Sequence, residues 1–136
     1  MQPIHSLGTF TVKITPVQDP AAIEPSIHRM QIDKQFQGSL QAASKGEMMA
    51  IGSGGPGSSG AYVALERVEG TLDGKRGSFA LQHTGVMDRG EPTLSIAVVP
   101  GSGTGELAGL SGSMKIDIVN GVHHYEFQYA IHPPSE

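Results

Sequence analysis

"ALERVEGTLDGKRGSFALQH", residues 64–83, reads as two strands folded back on each other around Asp73-Gly74. An Asp-Gly pair between two alternating runs is a strong hairpin signal, because the favoured two-residue turn requires positive φ at its centre. Glu66 is in step with Val68 and Leu72, and His83 with Phe79 and Leu81, so a carboxylate and an imidazole share the apolar face. Tyr62 falls on the same face by the period of two. If Asp73-Gly74 is the turn, Glu66 faces Leu81 and His83 is its diagonal neighbour. If Gly74-Lys75 is the turn, Glu66 and His83 face each other directly; both registers keep the two side chains on one face. The opposite face carries Val63, Leu65, Arg67, Ala80 and Gln82, a mixture that suits an oligomer interface or an exposed wall.

The same alternation recurs along the chain. "GTFTVKIT", residues 8–15, puts Phe10, Val12 and Ile14 on one side of a first strand. "PVQDPAAIEP" then holds three of the nine prolines and is a connecting loop. A second strand over 27–37 groups His28, Met30, Ile32 and Phe36, and Gly38 marks a tight turn or bulge. A third, over 39–51, is weakly patterned. "GSGGPGSSG", residues 52–60, has nothing to pack and reads as a flexible loop or lid within the domain. "TLSIAVV", residues 93–99, is nearly apolar throughout and predicts a strand buried on both faces. "SMKIDIV" and "HHYEFQYAI" form a last hairpin across Asn120-Gly121. About eight strands and no long helix predict an all-β closed antiparallel barrel, with room inside for side chains or one small ligand. With 136 residues, a single domain over 1–136 is expected.

Composition excludes several functions. The chain has no cysteine, hence no disulfide and no thiolate nucleophile or metal ligand. A net charge of -4 without a basic cluster speaks against nucleic-acid binding, and the absence of tryptophan against a base-stacking platform. "MQPIHSLGTF" lacks the basic and apolar segments of a secretory signal, and no stretch approaches the roughly 20 apolar residues of a membrane helix, so a cytoplasmic protein away from membranes is expected. Glycine, at 19 residues, is about twice its usual share of roughly 7% and punctuates the apolar runs.

"GSGGPGSSGAYVALERVEGTLDGKRGSFALQHTG" and "SIAVVPGSGTGELAGLSG", with "GTFTVK" near the start, resemble a family of small uncharacterised bacterial proteins assigned to the allene oxide cyclase-like, calycin-like barrels. The wider superfamily includes allene oxide cyclases and dirigent proteins, whose glycine signature is similar at Gly103, Gly105, Gly109 and Gly112. The resemblance implies a closed eight-stranded barrel, often oligomeric, with an apolar lumen. It implies no catalytic residue at any position here.

"GTGELA", residues 103–108, matches a dinucleotide-binding turn, but Gly109 and Gly112 interrupt the helix that would meet a pyrophosphate. These glycines are read as a tight corner, and no cofactor is expected. Six histidines raise a metal site, yet no H-x-H or H-E-x-x-H spacing exists, and His123 and His124 point to opposite faces. Convergence of His28, His83 and His123 across strands stays open, but no metal is expected. There is no G-x-S-x-G elbow for a serine nucleophile. The candidate ligand-binding residues are therefore Tyr62, Glu66 and His83. As a buried pair, Glu66 and His83 either lock the hairpin register or form the polar end of a cavity. Three functions follow: a homo-oligomeric barrel binding a small, largely apolar ligand; an isomerase- or cyclase-like enzyme moving a proton with Glu66 or His83; and a filled structural barrel acting through self-association.

Overall fold

The computed structural model describes residues 2–18, 24, 26–52 and 55–133. Eight antiparallel strands form a closed barrel in chain order: β1 (Ile4–Val17), β2 (His28–Gly38), β3 (Leu40–Gly52), β4 (Gly60–Leu72), β5 (Lys75–Asp88), β6 (Glu91–Val98), β7 (Leu110–Val119) and β8 (Val122–Ile131). A single 3₁₀ turn, η1 (Gly105–Leu107), is the one helical element among the described residues. The "GTGELA" stretch thus makes a corner, with no helix whose free N–H groups would cradle phosphate. Most of the proline-rich connection after β1 falls outside the described residues, as do Ser53 and Gly54 of the 52–60 loop.

Both strong turn signals form as read. Asp73 and Gly74 take φ of 48° and 82°, Asn120 and Gly121 take 52° and 78°, and Leu72 pairs with Lys75 and Val119 with Val122. The first of the two registers therefore holds: Glu66 faces Leu81. The weakly patterned third strand is regular along its whole length, because β2 and β4 pair it from both sides.

The stagger of the barrel follows from its registers. From Ile96 one circuit passes through His83, Ala64, Met48 and Met30 to Pro16 of β1. The opposite circuit, through Met114 and Phe127, meets β1 at Ser6. The two arrivals, Pro16 and Ser6, are ten residues apart on the same strand. At equal strand number, a shear of ten tilts the strands more steeply and opens a wider lumen than the shear of eight in a (β/α)₈ barrel.

The two ends of that lumen differ. One end carries the β2–β3 and β4–β5 turns and the 99–109 connection. There Leu40, Leu72, Phe79, Leu81, Leu110, Phe127 and Tyr129 are buried in one apolar cluster, with Phe79 and Phe127 stacked at 5.7 Å between ring centroids. The chain leaving β6 runs on along β5: Thr104 N–H donates to Ser78 O, and Thr104 Oγ1 and Ser102 Oγ accept from Ser78 and Ala80 N–H. It thereby brings Leu107, almost fully buried, across this end as a plug. Gly103 is required, since a Cβ there would lie 2.0 Å from Leu107 O.

At the other end no described residue covers the inward side chains as Leu107 does. Ile14, Leu94 and Ile118 follow the inward period of their strands, yet Leu94 is 44% and Ile118 60% exposed. β6 and β7 share only two residue pairs, Ile96–Met114 and Ala97–Ser113, so their remaining halves splay apart toward this end. That corrects the expectation of a β6 buried on both faces. Ile96 and Val98 are buried, whereas Thr93, Leu94 and Ser95 are exposed, because the strand loses its neighbour and no described residue covers its outer side.

Candidate functional site

Four polar side chains cross the lumen where the packed half meets the open half. Lys34 on β2 directly faces Ser44 on β3, Glu66 is diagonal to Ser44 across the β3–β4 pair, and His83 is diagonal to Glu66 across the β4–β5 pair. The steep strand tilt brings these four staggered positions to one level. Glu66 is the hub. Its Oε1 accepts from Lys34 Nζ at 2.9 Å and from His83 Nε2 at 2.5 Å, and its Oε2 accepts from Ser44 Oγ at 2.5 Å. The side chains are 6% (Lys34), 0% (Glu66) and 4% (His83) exposed.

Burial alone would raise the Glu66 pKa, but the hydrogen bonds from His83, Ser44 and Lys34 and the lysine charge outweigh it and hold the carboxyl down at about 2. Glu66 is thus an anion across the neutral range. An anion only accepts, so the shared proton belongs to His83 Nε2. Lys34 is further held by aromatic faces, its Nζ lying 5.0 Å from the Phe10 centroid and 5.8 Å from that of Phe36.

Tyr62, two steps nearer the open end than Glu66, leans over His83 with ring centroids 6.5 Å apart. Its ring lies on Gly85; a Cβ at that glycine would come within 2.2 Å of it. Burial, with the Glu66 carboxylate adding to it, raises the phenol pKa, so the group remains a donor. Its hydroxyl makes no hydrogen bond to another described residue. A cavity of about 350 Å³ at this end is lined by Ala50, Tyr62, Gly85, Met87 and Leu94 together with Ser58 and Ser59 of the loop. Beyond the undescribed Ser53 and Gly54, the 52–60 loop is tied to the β5–β6 turn: Gly90 N–H donates to Ser58 O, and Arg89 N–H to Ser59 Oγ.

Tyr62, Glu66 and His83 are thus brought together, and two partners went unread. Lys34 follows the inward period between Ile32 and Phe36, yet a lysine in an alternating strand is ordinarily solvated. Its in-step position was the available signal. Ser44 carried none, since a serine in a weakly patterned strand does not show which way it faces. His28 and His123 do not join His83, and among the described residues no three His, Asp or Glu side chains converge as a metal site. The Ser111 hydroxyl and His132 Nε2 are 2.8 Å apart at the closed end, but both residues are exposed.

On the outer wall, Met49, Val63, Leu65, Arg67, Ala80 and Gln82 line an open groove of about 780 Å³. It is larger than the cavity beside Tyr62, and Gly46, Glu66 and His83 also contribute to its lining; the pleat nevertheless turns the Glu66 and His83 side chains to the lumen face. No helix among the described residues is long and apolar enough to cross a membrane.

A search of the curated proteins finds no match. A crystal structure from Shewanella oneidensis MR-1, of a DUF3224-family protein of unknown function, is 44% identical, with a TM-score of 0.87 over 97% of this chain and 100% of that one. The family model described as "Protein of unknown function (DUF3224)" matches residues 6–129. With the match spanning nearly the whole barrel, the chain belongs to the DUF3224 family.

Proposed function

We propose that this barrel binds a small, largely apolar molecule in the open half of its lumen, with the polar end of the ligand at Tyr62, His83 and the Lys34–Glu66 pair. One observation carries the reading. Inward-facing apolar side chains are sealed in one half of the lumen and exposed in the other, and the boundary is a buried polar cluster. Apolar walls converging on a few fixed polar groups are the usual layout of a small-molecule site. The resemblance to allene oxide cyclase-like barrels supports the same reading, since it implies an apolar lumen.

Native mass spectrometry of the protein purified from its own host, followed by denaturation and identification of released species, tests it. A retained apolar molecule is the expected result, and its loss in an Ile116→Trp variant, which fills the lumen, would place it there. A protein that is empty and whose melting temperature is unmoved by an apolar library would overturn the reading. The exposed Met49, Val63, Leu65 and Val86 on the outer wall favour self-association through that face, as the composition of an interface core requires. The same spectrum reports it, and a wild-type monomer at every concentration would remove it.

A further inference from the structure

We infer that the Glu66–His83–Tyr62 arrangement transfers a proton at the carbon next to a carbonyl group, acting on an enolisable ketone or aldehyde with an apolar body. The inference rests on the lumen site proposed above and assigns its chemistry.

His83 has one nitrogen committed and one not. Nε2 donates to Glu66, so in the neutral ring Nδ1 carries a lone pair. Nδ1 has no hydrogen-bond partner among the described residues. The His83 side chain is 4% exposed, and the ring edge that carries Nδ1 is the one its bond to Glu66 leaves free. Behind it, Lys34 and Ser44 keep Glu66 ionised, which fixes the tautomer and stabilises the imidazolium once it forms. A base oriented by a carboxylate in this way is built to accept a proton. No nucleophile stands beside it: Ser44 is committed to Glu66, and the chain has no cysteine.

Tyr62 supplies the second half. Its ring lies 6.5 Å from that of His83, centroid to centroid, and its hydroxyl is free of described partners. In the inferred complex a C–C=O unit lies between the two side chains, with oxygen at the phenol and the α carbon at Nδ1. The Nδ1 lone pair takes the α proton, the C–H electron pair becomes the C=C bond, and the carbonyl π pair moves onto oxygen, where the Tyr62 O–H stabilises it. Return of the proton from the imidazolium to the same carbon, or to the far end of a conjugated enolate, regenerates the carbonyl. No oxidant or reductant is consumed. The charges favour a neutral ligand, since Lys34 and Glu66 offset each other and a buried anion would lack a counter-charge. His83 and Tyr62 are the catalytic residues, and Glu66 is a positioning residue.

The test uses phenylacetone in D₂O with the intact protein, reading the loss of its benzylic proton signal by NMR and its binding by saturation transfer. The wild type is expected to speed exchange above the buffer rate. His83→Gln should lose the enhancement by about 10²-fold or more, and Tyr62→Phe, a substitution outside the packed core, by about 10²-fold, with saturation transfer retained. Glu66→Gln should lower kcat with KM little changed; an unchanged kcat would remove its positioning role. Saturation transfer without exchange would overturn the proton transfer while the lumen site stands. Absence of both would overturn the two together.

Discussion

The two halves of this lumen are built from the same strands and the same alternation, yet they are finished differently. In the closed half Phe79, Phe127 and Tyr129 fill the cross-section, and Leu107 is folded in from the β6–β7 connection as a plug. In the open half the in-step positions of β3–β5 include Gly46, Ala50, Tyr62 and Gly85, with Gly46 paired to Glu66 and Gly85 next in step after His83, and no described side chain plays the part of Leu107. Apolar packing is therefore concentrated at one end, and the buried polar cluster marks where it stops.

Phe127→Ala should break the closed half, costing about 3–5 kcal/mol in urea unfolding, since a fully buried, stacked ring is lost from a site that cannot collapse. Lys34→Met removes the counter-charge of a buried carboxylate and should cost about 3 kcal/mol or more, while the Lys34→Met/Glu66→Gln double variant recovers part of it. Additive losses in that cycle would show that the two residues are not coupled.

The boundary layer should also mark itself in acid. Glu66 titrates lower in the fold than its ordinary value of 4.5, at about 2, so its stabilisation is complete above pH 4.5 and is lost as pH falls toward 2. The wild type should therefore lose stability across that window more steeply than Glu66→Gln; parallel curves would remove Glu66 as the cause.

The smallest stability effects belong to the open half. Leu94→Ser and Ile118→Ser should each change unfolding free energy by no more than about 0.5 kcal/mol, because both side chains are already half in water. The same substitutions should weaken binding of the neutral apolar dye Nile red several-fold. Destabilisation equal to that of Phe127→Ala would show that the mouth is packed after all.

Much of this protein was legible in one dimension. Alternation with a period of two, Asp73-Gly74 and Asn120-Gly121 turns, and apolar runs parted by glycine determined an all-β chain of about eight strands. They also placed Tyr62, Glu66 and His83 on one inward face, because the pleat makes facing a local property. Partners are not local. Lys34 is 32 positions from Glu66 and Ser44 is 22, and only the stagger of ten residues around the closed barrel brings them to a common level. Tertiary structure likewise chose between the turn registers, parted β6 from β7, and left Leu94 in water although its sequence reads as buried. Sequence spacing sets which way each side chain points. Closure and shear, which depend on all eight strands at once, decide what it meets.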